Sequence, residues 1–229
     1  MECIILAGGL GTRLRGVIGE QPKCMAPVAG QPFLAYQFKY LERSGCTRVI
    51  LSLGYRHEAV LSWLSDNNPA FEVDWVIEDE PLGTGGGIRL ALQKATAEKV
   101  FILNGDTFFD ADLNAMSAAP GETVLALKHL QDFERYGSVT VAGNARILSF
   151  EEKKPMAEGL INGGTYCITR VGFLSRNFPE KFSFEKDYLE AFVPEGIFFA
   201  YQSNGYFIDI GMPEDYEKAQ RDFKELFPQ

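Results

Sequence analysis

The chain runs to 229 residues, 46% of them apolar, which suffices for one large buried core or two small ones and marks an ordinary globular protein. Thirty-one acidic residues against 22 basic ones leave a net charge of −9, which excludes a general nucleic-acid or anionic-membrane surface and requires a local site for any anionic ligand. No apolar run reaches the roughly 18 to 20 residues of a membrane span. The N-terminus lacks the basic region, apolar stretch and cleavage site of a signal peptide, so a cytoplasmic location is expected. Cys3, Cys24, Cys46 and Cys167 form no C-x-x-C pair, and His57 and His129 stand outside any motif. Buried reduced thiols are expected, not a disulfide framework or a structural zinc.

Cys3 to Ala7 is a continuous apolar run ending in glycines, the pattern of a strand buried on both faces of a parallel sheet. Pro32 fits the first turn of a helix carrying Leu34, Phe38 and Leu41 on one face, with Gly45 placed to end it. Arg48 to Leu53 reads as a second strand, Val60 to Leu64 as part of a second helix and Val73 to Ile77 as a third strand. Ile88 to Ala95 then reads as a third helix and Val100 to Leu103 as a fourth strand. This alternation predicts right-handed crossovers in an α/β fold: a Rossmann-like, open, mixed but mostly parallel sheet flanked by helices, with the ligand crevice at the carboxyl ends of the strands. Beyond about residue 120, Val124 to Leu130, Ser138 to Val141, Ile147 to Glu151, Thr165 to Thr169 and Ile197 to Gln202 read as short strands of a more antiparallel part. A last amphipathic helix starts at Pro213, with Tyr216, Ala219, Phe223 and Leu226 on one face. No repeat or linker divides the chain, so 1–229 is expected to be one domain whose two halves, about 1–120 and about 121–229, share a cleft.

Leu6-Ala7-Gly8-Gly9-Leu10-Gly11-Thr12-Arg13-Leu14-Arg15 places a glycine loop with two arginines at the end of the first strand, and Pro22-Lys23 follows. Glycines let backbone N–H groups approach phosphate oxygens, and Arg13 and Lys23 can neutralise the charge that develops when a phosphoryl bond changes hands, so the segment reads as a triphosphate site. It lacks the third glycine of a dinucleotide fingerprint and the G-K-[ST] of a P-loop. Asp106 follows the fourth strand and Asp209 lies between a short apolar strand and Gly211, so two carboxylates at the sheet's carboxyl edge can share an oxygen-liganded Mg2+. Either aspartate alone would read as a cap or turn former. Glu78 and Glu80, after the third strand, are candidates for the paired N–H donors of a guanine edge, or else members of a solvated loop. Asp110-Ala111-Asp112 spells the D-x-D of metal-dependent glycosyltransferases; the alternative reading makes Asp112 the N-cap of a short helix starting at Leu113.

From Leu6 to Leu14 and at Pro22-Lys23 the sequence resembles the sugar-1-phosphate nucleotidyltransferases, whose signature is L-A-G-G-x-G-T-R-L followed by P-K. Later landmarks recur in order: Pro81-Leu82-Gly83-Thr84-Gly85, Asn104-Gly105-Asp106, Tyr136-Gly137, Phe150-x-Glu152-Lys153, Ile161-Asn162-Gly163-Gly164-x-Tyr166 and Asp209-Ile210-Gly211-x-Pro213. Within that family it is similar to the D-glycero-D-manno-heptose 1-phosphate guanylyltransferases, through Gly105 to Asp110, Leu160 to Gly164 and Gly205 to Gly211. The resemblance implies the nucleotide-diphospho-sugar transferase type of fold and attack of a sugar 1-phosphate on the α-phosphorus of an NTP, here GTP, releasing pyrophosphate. It implies Arg13 and Lys23 as catalytic residues, Mg2+ on Asp106 and Asp209, and a nucleotide site of Leu6, Gly8, Gly9, Gly11, Thr12, Glu78, Glu80, Gly83 and Thr84. Tyr136, Gly137, Glu152, Lys153 and Asn162 are implied to hold the sugar phosphate, with the departure at Lys154-Pro155 leaving open which of Lys153 and Lys154 faces it. The partners implied are small molecules only, the NTP and the sugar 1-phosphate, with no nucleic acid or membrane; oligomeric state is left open, a homo-oligomer included. The alternatives are a mannose-1-phosphate guanylyltransferase or another sugar-1-phosphate nucleotidyltransferase using UTP, CTP or dTTP and, from other classes, a non-catalytic nucleotide-binding subunit or a D-x-D glycosyltransferase.

Overall fold

The computed structural model describes residues 1–9 and 14–228. Its first half alternates as the hydrophobic pattern predicts: β1 (Glu2–Ala7), a short α1 (Arg15–Ile18), the small hairpin β2 (Pro27–Val28) and β3 (Gln31–Pro32), α2 (Phe33–Arg43), β4 (Arg48–Leu53), α3 (His57–Asp66), β5 (Glu72–Ile77), α4 (Gly83–Leu92) and β6 (Lys99–Asn104). Then come β7 (Thr107–Phe109), α5 (Leu113–Ala118), β8 (Thr123–Phe133), the hairpin β9 (Val139–Val141) and β10 (Ile147–Phe150), β11 (Met156–Thr169) and α6 (Arg170–Leu174). A π-helical turn at Phe184–Glu190, β12 (Phe198–Ser203), β13 (Phe207–Asp209) and α7 (Pro213–Leu226) complete the described chain.

Seven strands form one open sheet in the order β12-β8-β11-β6-β1-β4-β5. Six run in one direction; β11 alone is antiparallel to both its neighbours, β6 and β8. The sheet is therefore mixed but mostly parallel, and the antiparallel character of the second half is confined to β11 and the small two-stranded pairs β9/β10 and β7/β13. Alternate residues of β1 serve two cores: Cys3 and Ile5 pack with Leu34 and Phe38 of α2 and Phe223 of α7, whereas Ile4 packs with Ile88 and Leu92 of α4 and Tyr188 of the π turn. Among the described residues no helix is long and apolar enough to cross a membrane.

The chain leaves β1 toward β4 and β5 on one side and later returns to place β6 on the other, so the order of connection reverses between β1 and β6. Ligands of open α/β sheets bind outside the carboxyl ends of the strands at such a point. There the turn after β6 crosses the end of β1: the Gly105 N–H donates to the Leu6 carbonyl at 3.0 Å, and a Cβ on Gly105 would collide with that carbonyl.

Two elements differ from the sequence reading. The helix expected from Ile88 already begins at Gly83, so Gly85, Gly86 and Gly87 are helical. Each glycine costs about 1 kcal/mol against alanine in a helix, but here the bare backbone lets other chain approach. A Cβ on Gly85 would enter the Phe182 ring, and one on Gly86 would sit 2.8 Å from the Glu180 carbonyl. The strand expected at Thr165 to Thr169 is the second half of β11, which shifts register between Asn162 and Tyr166, where Gly164 takes a left-handed φ of 70°.

Candidate functional site

The first of two adjoining cavities, about 540 Å3, opens at the reversal point and is lined by Leu6 of β1 with Gly8 and Gly9 just after it, and by Asn104 of β6 with Gly105 and Asp106 just after it. Lys23 reaches it from a 3-10 turn, Lys23–Met25, that follows the extended Pro22 and is rooted by buried Cys24 and Met25. The Lys23 ammonium donates to Asp106 Oδ2 at 2.7 Å. Of the nucleotide-loop residues expected from sequence, Gly11, Thr12 and Arg13 lie outside the described residues. Glu78 lines the cavity, its Oε1 accepting from the Ser52 hydroxyl at 3.2 Å and its Oε2 from the Leu82 N–H at 2.9 Å, and each oxygen keeps a lone pair. Glu80 is exposed and away from the lining. Gly83 and Thr84 complete the rim; Gly83, at φ 76°, lies so close to Phe182 that a Cβ would meet its carbonyl at 2.5 Å.

Asp106 and Asp209 are brought together by strand pairing. β13 lies antiparallel to β7 with Asp209 opposite Thr107, and the Ile210 N–H donates to the Asp106 carbonyl at 2.9 Å. Burial, and then the negative charge of Asp106, push the Asp209 carboxyl above the ordinary carboxylate range, opposed by the Gly211 N–H on its Oδ1 at 2.7 Å and by Lys23. Because the folded Asp209 holds its proton more tightly than the unfolded one, the wild-type chain carries a penalty above the folded pKa that disappears as pH falls through it. Asp209→Asn keeps the acceptor for Gly211 and removes the charge. Differential scanning calorimetry should therefore find the variant more stable than wild type at pH 8, with the gain shrinking toward pH 4; a gain that grows on acidification would refute this account. No group of three or more His, Cys, Asp or Glu side chains converges among the described residues.

The second cavity, about 920 Å3, adjoins the first through Asn104 and is lined by Tyr136, Gly137, Glu152, Lys153, Asn162 and Asp209. All five residues assigned to the sugar phosphate from sequence thus face one space. Lys153 lines it and Lys154 does not. Asn162 is braced within β11: its Nδ2 donates to the Tyr166 hydroxyl at 2.9 Å and its Oδ1 accepts from the Gly164 N–H at 3.0 Å. Sequence reasoning missed Asn104, although it opens the Asn104-Gly105-Asp106 landmark, and it missed Ser52, Arg135, Glu185 and Lys186, which stand in no motif.

The D-x-D reading fails on geometry. Asp110 pairs with Arg43 at 2.7 Å, and Asp112 caps α5, its Oδ1 accepting from the Ala115 N–H at 3.0 Å. Neither lines the two cavities. Asp112→Ala should cost about 1 kcal/mol of stability, as loss of an N-cap does, and leave turnover within about twofold; a large loss of turnover would restore the rival.

Residues 2–225 match the family model described as nucleotidyl transferase. The chain is 46% identical over 228 residues to a D-glycero-alpha-D-manno-heptose 1-phosphate guanylyltransferase of Aneurinibacillus thermoaerophilus, covering 98% of this chain and 99% of that one. It is 44% identical to a protein described in the same words from Campylobacter jejuni subsp. jejuni serotype O:2, covering 94% and 97%. Among solved structures, HddC from Yersinia pseudotuberculosis complexed with GMP-PN superposes with a TM-score of 0.87 at 40% identity, covering 97% of this chain and 99% of that one.

Proposed function

The chain belongs to the nucleotidyl transferase family, and from that premise we propose that it transfers the guanylyl group of GTP to D-glycero-α-D-manno-heptose 1-phosphate, giving GDP-heptose and pyrophosphate. The observation that carries the reading is the junction of the two cavities, where Lys23, Asp106 and Asp209 gather beside Asn104. The named substrates rest on the similarity to the two bacterial guanylyltransferases.

The attacking oxygen of a sugar phosphate is already ionised at neutral pH, so no general base is required. Catalysis reduces to holding two anions in line and screening their repulsion. Lys23 supplies a point charge for the α-phosphate, Arg13 one for the departing pyrophosphate, and Lys153 one for the incoming phosphate. Glu78 offers its remaining lone pairs to the base, and Glu152 and Asn162 take sugar hydroxyls. The donor set suits a hard cation: two neighbouring carboxylates, with Asp209 raised by burial and then by the charge of Asp106, and one lysine bonded to Asp106. Asp106 and Asp209 would hold Mg2+, which would supply positive charge to screen the phosphates.

Pyrophosphate release is the test, with GTP, UTP, CTP, ATP and dTTP each offered with heptose and mannose 1-phosphates. Turnover confined to GTP with the heptose is expected. Turnover with another pair would keep nucleotidyl transfer and overturn the named substrates, whereas silence with every pair would overturn the reading.

A further inference from the structure

The segment following Phe178 is laced to the start of α4 by a ladder that no motif announces. The Phe182 N–H donates to the Leu82 carbonyl at 3.0 Å, the Gly85 N–H to the Phe182 carbonyl at 3.0 Å, and the Phe184 N–H to the Thr84 hydroxyl at 2.9 Å. That hydroxyl in turn donates to Glu185 Oε2 at 2.7 Å, and the Ser183 hydroxyl donates to the same oxygen at 3.0 Å. The turn carrying Glu185 is itself fixed by reciprocal bonds: the Lys186 N–H donates to the Ser183 hydroxyl at 3.2 Å, and the Ser183 N–H to Asp187 Oδ2 at 2.7 Å. Both hydroxyl donors land on one oxygen of the Glu185 carboxylate. Among the described residues its Oε1 has no hydrogen-bond partner, yet Glu185 lines the second cavity while Thr84 lines the first. The Glu185 charge also reaches Tyr166, whose phenol is raised first by burial and then by that carboxylate, and Tyr166 is the partner of Asn162.

A carboxylate anchored through one oxygen presents the other as an acceptor only. It suits the hydroxyl donors of a polyol and disfavours a phosphate. Taking the second cavity as the sugar site proposed above, we propose that Glu185 is a sugar-hydroxyl-binding residue aimed by Thr84 and Ser183. Thr84 is then a positioning residue for the sugar although it stands on the rim of the nucleotide cavity.

The test is calorimetric titration of D-glycero-α-D-manno-heptose 1-phosphate into protein saturated with a non-transferable GTP analogue and Mg2+, which reads binding without turnover. Glu185→Gln keeps an acceptor for Thr84 and Ser183, so it should fold with an unchanged unfolding midpoint. It replaces a charge-assisted acceptor, an interaction worth a factor of about ten or more in affinity. We expect at least that loss for the sugar 1-phosphate, with analogue affinity within about twofold. Thr84→Val should weaken the sugar 1-phosphate in the same direction, and Thr84→Ser, which retains the hydroxyl, should restore it. Undiminished sugar affinity in Glu185→Gln would overturn the assignment of Glu185 alone, and equal values for Thr84→Val and Thr84→Ser would overturn the positioning role. Wild-type protein that binds the GTP analogue but no sugar 1-phosphate would overturn the sugar-site reading and the Glu185 assignment together.

Discussion

Asp106→Asn is expected to lower kcat for pyrophosphate release by about three orders of magnitude, the loss that follows removal of a preorganised charge from a transition state, while the unfolding midpoint moves by only a few degrees. The two effects separate because Asp106 sits where folding gains little from it. Its partner Lys23 and Asp106 itself retain side-chain exposures of 20% and 30%, and such partly solvated pairs contribute at most about 1 kcal/mol. Removing the charge also relieves Asp209, which Asp106 pushes upward, and leaves Lys23 a second carboxylate that it already stabilises. The backbone of Asp106, which accepts from the Ile210 N–H at 2.9 Å, is untouched by the substitution. Steady-state kinetics beside calorimetry decides the matter: a rate within tenfold of wild type would remove Asp106 from the mechanism, and a collapse of the midpoint would make it a structural residue.

Part of this site could be read from sequence where an apolar run ends in glycine. Cys3 to Ala7 and Val100 to Leu103 announce buried parallel strands, and Gly8-Gly9 and Gly105-Asp106 follow their carboxyl ends and line the first cavity. What could not be read depends on side chains from distant segments. Gly85 and Gly86 argue against a helix by propensity, and only the approach of Phe182 and Glu180 reverses that preference. The turn that carries Glu185 is held by an aromatic cluster, with Phe178 stacked on Phe182 at 4.3 Å and Phe173 edge-on to Tyr188 at 4.9 Å. Those residues follow neither a 3.6 nor a 2.0 period, so the segment shows no element in the sequence. In the same way Glu80 and Glu78 are indistinguishable as neighbouring acids. The bonds from Ser52 and the Leu82 N–H to Glu78, set by the path of the chain after β5, turn one acid inward and leave the other in solvent. Identity at Asp209 was legible, but its raised carboxyl was not, because that shift comes from burial and from a partner 103 positions away in the sequence (209 − 106).

Lys23→Met is expected to reduce kcat by about two to three orders of magnitude and to destabilise the fold in a pH-dependent way. The ammonium donates to Asp106 and lies so near Gly211 that a Cβ there would be 3.3 Å from it, which places the charge among both carboxylates and the Asp209 turn. A neutral side chain of similar length preserves the stem that follows Pro22 and removes only the charge, so two carboxylates and two phosphates must then share the site with one cation fewer. Lys23→Arg should recover the activity in part at best, since a planar five-donor fork does not replace a compact point charge between two acids. For stability, Lys23 lowers the Asp209 pKa, so this part of its contribution is complete where Asp209 is charged and fades as Asp209 takes up its proton. Calorimetry should therefore show a deficit for Lys23→Met at pH 8 that narrows toward pH 4. A deficit independent of pH would mean that the substitution disturbs packing around Cys24 and Met25, and the lost rate could then no longer be ascribed to charge.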